Sequence, residues 1–128
     1  MKLLLDTHSF LWFISGSPKL GTTARTLIEN VFNQPFLSVA SLWEMAIKVS
    51  LGKLKLDQPF ERLIPYQLKL NGIDLLEIKI QHTAIVSKLP FHHRDPFDRL
   101  LVAQAMVGQM PIVSADTTLD AYTITRMW

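Results

Sequence analysis

The 128-residue chain is 48% hydrophobic, 19% charged and 9% aromatic and has no cysteine, the profile of one globular domain over residues 1–128. A chain of this length buries roughly two thirds of its unfolded surface and needs no disulfide or structural zinc, and without cysteine it has no thiolate metal knot, cysteine nucleophile or thiol redox chemistry. Thirteen Lys and Arg against eleven Asp and Glu leave a formal charge of +2, too small to establish a nucleic-acid partner, so the placement of the charges has to decide.

The opening MKLLLDTHSFLWFISGS has the lysine, apolar run and small residues of a signal peptide, but Asp6 and His8 interrupt the apolar core that such a segment needs. No stretch approaches the roughly 20 apolar residues of a membrane-spanning helix. A cytoplasmic protein with no membrane partner is expected. Residues 3–5 are a short apolar run ending at Asp6-Thr7, which reads as a buried parallel strand. Residues 9–14 are aromatic and helical in spacing, up to the break at Gly16-Ser17-Pro18. Ala24, Leu27, Ile28, Val31 and Phe32 recur at helical intervals over residues 22–33, and Pro35 stops them.

Residues 36–39 predict a second strand, residues 41–51 a helix ending at Gly52, and residues 60–70 another ending at Asn71-Gly72. Residues 73–80 have strand character. Residues 82–89 read as a helix up to Pro90, and residues 96–107 as a strong helix with Pro96 in its first turn. Residues 111–114 are a last apolar strand, followed by Asp116 and a short terminal region. Strands separated by helices predict an α/β sandwich with a mostly parallel sheet and right-handed crossovers.

Most acids, such as Asp57, Glu61 and Glu77, have polar or basic neighbours and read as solvated surface. Four do not. Asp6 ends LLLD, Glu44 lies in VASLWEMAI, Asp98 in DPFDRLLVAQA, and Asp116 ends PIVSAD, each at the edge of an apolar element where ionisation is costly without a partner. Each also has a structural reading. Ser41 to Glu44 has the pattern of a capping box, Asp95-Pro96 of an N-cap with proline at the first helical position, Asp98 of a first-turn acid, and Asp116 of a cap on the TTLD turn. Caps need no convergence, however, whereas this order of elements brings the four acids to the carboxyl ends of one sheet, where ligands of such folds bind. Carboxylates so gathered require a cation, and hard oxygen donors suit Mg²⁺ or Mn²⁺, which equip a site for phosphoester chemistry. Arg94 and Arg99 flank Asp98, and Lys48, Lys53 and Lys55 follow Glu44, all candidates to hold a phosphate backbone. His8, His92 and His93 sit near helix starts and read as structural groups. Phe10, Trp12, Phe13 and Trp43 read as core or partner packing rather than base-stacking residues.

LLLDTHSFLWF, SVASLWEMAIKVSLGKL, HHRDPFDRLLVAQA and PIVSAD, taken together and in this order, resemble a PIN domain, and more closely a VapC-type toxin ribonuclease of a type II toxin–antitoxin pair. The resemblance runs from Leu3 to Asp116. It implies a three-layer α/β/α sandwich and Mg²⁺- or Mn²⁺-dependent endoribonuclease activity, with Asp6, Glu44, Asp98 and Asp116 as the catalytic, metal-organising acids. Asp95, Thr7 and Ser114 are implied as supporting residues, Ser114 standing where the family usually has threonine. A cognate antitoxin, an RNA substrate and a homodimer are the implied partners.

Several rival readings share this scaffold. A phosphoacceptor signalling domain needs adjacent acids after the first strand and a late lysine, and a haloacid-type phosphatase needs DxD, which Asp6-Thr7-His8 lacks. A metal-dependent DNA nuclease of the same fold, or a non-catalytic metal- or RNA-binding module, stays open at this level.

Overall fold

Leu3, Leu4 and Leu5 are all fully buried, because β1 (Lys2–Leu5) is the middle strand of a sheet covered on both faces. Side chains alternate along a strand, so Leu3 and Leu5 point to one face and Leu4 to the other, each contributing about 1.5–3 kcal/mol by burial. The computed structural model describes residues 1–128. In chain order, β1 leads to α1 (Thr7–Ser15), α2 (Thr22–Glu29), β2 (Gln34–Ser38), α3 (Val39–Ser50) and α4 (Phe60–Asn71). Then come β3 (Asp74–Leu76), α5 (Ile80–Val86), α6 (Pro96–Gly108), β4 (Ile112–Val113), a 3₁₀ turn (Thr117–Ala121) and β5 (Arg126–Met127).

All strand pairings are parallel, in the order β3-β2-β1-β4-β5. One core lies on the Leu3 and Leu5 face, where Leu37 and Val113 join Phe10 of α1, Ile28 of α2, Met45 of α3 and Ile64 of α4. The other lies on the Leu4 face, where Ile112 packs against Leu89, Leu101, Val102, Ala105 and Tyr122. Helices on both faces of a parallel sheet give the expected three-layer α/β sandwich. No helix is long and apolar enough to cross a membrane.

The clearest departures from the sequence reading are three element boundaries and one added strand. Helix α2 ends at Glu29 because asparagines take over its terminus: Asn30 Oδ1 accepts the Phe32 N–H at 3.0 Å, and Asn33 Nδ2 donates to the Leu27 carbonyl at 3.0 Å. Val31 and Phe32, expected on its apolar face, are therefore exposed. Helix α3 starts at Val39 with Ser38 as its cap, Oγ accepting the Ala40 N–H at 3.0 Å, which removes the Ser41-to-Glu44 capping box. Strand β3 is shorter than the expected 73–80, since His82 Nδ1 accepts the Lys79 N–H at 2.9 Å and α5 begins at Ile80. Strand β5 was not anticipated; it pairs with β4 although no apolar run announces it.

Candidate active site

The chain moves outward from β1 to β2 and β3, then returns to the other side of β1 for β4 and β5. At such a switch point a crevice opens beyond the carboxyl ends of the two diverging strands. Asp6 immediately follows β1, and Asp116 follows β4 after Ser114 and Ala115. Asp6, Glu44, Asp95, Asp98 and Asp116 line one cleft of about 290 Å³ there, together with Lys48 and without any hydrophobic residue in its wall.

Local backbone chemistry aims most of these acids. Asp6 caps α1, its Oδ1 accepting the Ser9 N–H at 2.7 Å. Asp95 caps α6, its Oδ1 accepting from the Phe97 N–H at 2.7 Å and the Asp98 N–H at 3.3 Å. Asp116 caps the 3₁₀ turn, with Oδ1 accepting the Thr118 N–H at 3.0 Å while its own N–H donates to Ser114 Oγ at 3.0 Å. Capping and convergence coexist, because a cap uses one carboxylate oxygen: the other is left free at Asp6 and Asp95, and at Asp116 it meets His93.

Glu44 is held differently. It is buried, and Thr7 Oγ1 donates to its Oε1 at 2.6 Å while Lys48 Nζ donates to its Oε2 at 2.9 Å. Both oxygens thus have protein donors. Asp98 is the opposite case: its carboxylate accepts no hydrogen bond from the protein, while its backbone N–H donates to Asp95 Oδ1. Burial above all, then the nearby Asp95 charge, push its carboxyl up to about 6; His93 opposes this, and Glu44 and Asp116 add to it. Burial also pushes the Asp116 carboxyl up, but hydrogen bonds from His93 and Thr118, with the His93 charge, outweigh it and hold the group below the usual carboxylate range.

The donor set fits a divalent cation. Five carboxylates share the cleft with one lysine, which is already paired with Glu44, so negative charge is left over around Asp98. Ligand atoms of His93, Asp98 and Asp116 lie within 4.8 Å of one another. Asp98, then Asp6 and Asp95, offer the least committed oxygens, whereas both oxygens of Glu44 and of Asp116 already have protein partners.

Among the basic candidates, Arg99 is corrected. It was expected to reach RNA, but it is buried, and its guanidinium donates to the carbonyls of Val86, Leu89 and Pro90 at 3.0–3.1 Å and of His93 at 3.5 Å. Lys48 lies in the cleft wall rather than on an open face, whereas Arg94 and Lys53 are exposed. Lys53 and Lys55 line a second groove of about 550 Å³ that shares His8 and Lys48 with the acid cleft.

Sequence reasoning passed over His93, read as structural, and did not consider Tyr122. The structure puts His93 Nε2 at 2.6 Å from Asp116 Oδ2 and His93 Nδ1 at 3.0 Å from the Tyr122 hydroxyl. The adjacent His92-His93 pair before DPFD was the available signal, but nothing near Tyr122 marks it as a partner. His8 also lines the cleft, packed on Trp12.

A parallel α/β sandwich with acids gathered beyond β1 and β4 is the arrangement that the motifs led one to expect of a PIN domain. The PIN domain family model matches residues 3–124, and the chain belongs to that family. It is 35% identical to Ribonuclease VapC16 of Mycobacterium tuberculosis over 71 residues, or 52% of this chain and 50% of that protein, so the match spans about half the length of the curated relative. Among solved structures it is similar to VapBC2 from Rickettsia felis bound to a DNA fragment from their promoter, with a TM-score of 0.72, 14% identity and coverage of 99% of this chain and 98% of that one. A toxin-antitoxin complex from Klebsiella pneumoniae gives a TM-score of 0.66 at 16% identity, covering 98% of this chain and 96% of that one. VapBC-1 from nontypeable Haemophilus influenzae gives 0.67 at 16% identity, covering 99% and 97%. At these identities the structural likeness speaks to the fold.

Proposed function

We propose that this protein is a divalent-metal-dependent endoribonuclease and the toxin of a type II toxin–antitoxin pair, with a cognate antitoxin as partner and a homodimer as its assembly. The observation that carries the reading is the gathering of Asp6, Glu44, Asp95, Asp98 and Asp116 from four separate stretches of chain into one polar cleft at the switch point of the sheet. The ribonuclease name of the partial relative and the toxin-antitoxin neighbours support it.

A bound Mg²⁺ or Mn²⁺ would supply a nucleophilic water at neutral pH and offset charge on the phosphate. Asp6 and Asp98 would hold it through oxygens that no protein donor occupies, and Asp116 through the oxygen it shares with His93. Glu44, tied to Thr7 and Lys48, keeps the lysine ammonium in the cleft wall, where it can meet a phosphate oxygen. Asp116, fixed by hydrogen bonds with Thr118 and His93, would orient the attacking water or help to deprotonate it. Water would add to phosphorus in line as the bond to the ribose 3′ oxygen breaks, the water losing a proton to Asp116 or solvent and the 3′ oxygen taking one from solvent, leaving a 5′ phosphate and a 3′ hydroxyl. Lys53, Lys55 and Arg94 would hold flanking phosphates along the adjoining groove and rim.

The test is cleavage of a structured RNA pool by purified protein with Mg²⁺ or Mn²⁺, alongside EDTA and an Asp98→Asn variant prepared identically, with DNA as competitor. Cleavage that needs both the metal and Asp98 and leaves 5′-phosphate ends is expected. Equal activity in the variant would remove the acids from catalysis.

A further inference from the structure

We infer that His93 is a nitrogen ligand of the acid cleft, making it a mixed nitrogen and oxygen centre that selects Mn²⁺ over Mg²⁺. The inference rests on the reading of the cleft as a metal site and adds a residue and a selectivity to it. Nε2 of His93 is 2.6 Å from Asp116 Oδ2, and within 4.8 Å there is also a carboxylate oxygen of Asp98, the acid that no protein donor satisfies. The three donor atoms are thus close enough to share one small divalent cation, across which opposite donors are about 4 Å apart.

The imidazole is held by Tyr122 in two ways. Its ring stacks on Tyr122 with centroids 5.5 Å apart and planes at 19°, and Nδ1 lies 3.0 Å from the Tyr122 hydroxyl. Tyr122 is itself buried, and only 9% of the His93 side chain is exposed. With Nδ1–H donated to that hydroxyl, Nε2 is the ring nitrogen turned to the carboxylates, where a cation would take the place of the proton it shares with Asp116 Oδ2. A ligating histidine whose other ring nitrogen is hydrogen-bonded outside the metal shell is the usual arrangement, since the second bond fixes ring orientation and tautomer. The backbone is anchored too. Arg99 gathers the carbonyls of Val86, Leu89, Pro90 and His93, tying the segment that carries His93 to α6, the helix that carries Asp98. The buried arginine therefore sets the distance between the two.

Imidazole nitrogen suits transition metals, whereas Mg²⁺ keeps to oxygen donors and retains its waters. A cleft of carboxylates alone accepts either ion; one with His93 in the set favours Mn²⁺. If His93 only aimed Asp116 through a hydrogen bond, its loss would weaken both ions alike.

The full chain is compared as wild type, His93→Gln and Asp98→Asn. Each is titrated calorimetrically with Mn²⁺ and with Mg²⁺, and Mn²⁺-loaded samples are read by electron spin echo envelope modulation, which detects a nitrogen nucleus bonded to the ion. The wild type is expected to show nitrogen modulation and His93→Gln to lose it, with Mn²⁺ affinity falling about ten-fold or more while Mg²⁺ affinity stays near the wild-type value. Mn²⁺ bound by the wild type without nitrogen modulation overturns the inference, whether or not the variant folds well. So do equal losses for both ions in His93→Gln. If the wild type binds no Mn²⁺, or Asp98→Asn binds it equally well, the metal-site reading falls and this inference with it.

Discussion

Thr7 donates its hydroxyl to Glu44 across 2.6 Å, joining the first residue of α1 to the middle of α3 at the edge of the acid cleft. Ser41 Oγ lies 2.9 Å from the same hydroxyl, and all three residues are buried. The Thr7→Val substitution keeps the shape and removes the donor, leaving a buried carboxylate oxygen unsatisfied. A loss of about 1–3 kcal/mol in urea denaturation is expected, with slower RNA cleavage because Glu44 no longer holds Lys48 in place. Thr7→Ser, which keeps the hydroxyl, is expected to recover most of both. Unchanged stability in Thr7→Val would show that the 2.6 Å contact contributes nothing.

Arg99 is the residue whose role changed most between sequence and structure, and the two roles predict opposite results. A lysine keeps the charge but presents three donors from one point, so it cannot span the carbonyls of Val86, Leu89, Pro90 and His93. Arg99→Lys is expected to cost ~2 kcal/mol or more in urea denaturation, with RNA affinity of the remaining folded protein unchanged. Retained stability with weaker RNA binding would return Arg99 to the RNA surface.

Why Arg99 misled and Asp98 did not is physical. An acid between apolar helical positions is conspicuous because its burial is costly, and a strand ending in Asp declares which end of the sheet the acid occupies. Asp6, Glu44, Asp98 and Asp116 were legible on those grounds, as was the parallel sheet from runs such as Leu3 to Leu5. A buried arginine satisfied by backbone carbonyls has no such signature, since its partners carry no side-chain identity. The same holds for Ser38 displacing Ser41 as the cap of α3, and for the asparagines that end α2, where local hydrogen bonds override an apolar period that continues to Phe32. His93 is a case of distance: Asp116 and Tyr122 lie 23 and 29 residues away in sequence, and only the folded chain brings them to it.

Lys53 and Lys55 test the path that leads into the cleft. Both are exposed, and both line the groove that shares His8 and Lys48 with the acids. If each meets one phosphate of a single strand, the double substitution Lys53→Ala with Lys55→Ala reduces the slope of log affinity against log salt by about 1.4. The measurement is fluorescence anisotropy of a labelled RNA bound by protein inactivated with Asp98→Asn, over a series of salt concentrations. An unchanged slope would place the strand elsewhere.

Asp98 gives the pH dependence. Its carboxyl is raised from 3.8 to about 6 in the folded protein, so between those values the unfolded chain releases a proton that the folded chain retains. Stability of the metal-free protein must therefore fall as pH rises through that window and level off above it. The expected contribution is on the order of 1–2 kcal/mol once solvent screening of a half-buried group is allowed for. Asp116 acts with the opposite sign, because its lowered value contributes stability that is lost only as pH falls below the ordinary carboxylate range. Comparing thermal melts of the wild type with Asp98→Asn in EDTA reads the first effect together with its coupling to Asp95, Glu44 and Asp116, since acids remote from the cleft cancel. The two proteins are expected to match near pH 3.5, with Asp98→Asn the more stable above pH 6. Saturating Mn²⁺ at neutral pH should then raise the wild type by about 2.7 kcal/mol at a hundred times its Kd while leaving Asp98→Asn nearly unmoved. Parallel stability curves in EDTA would mean that Asp98 bears no excess charge, and the cleft would lose its physical reason to bind a cation.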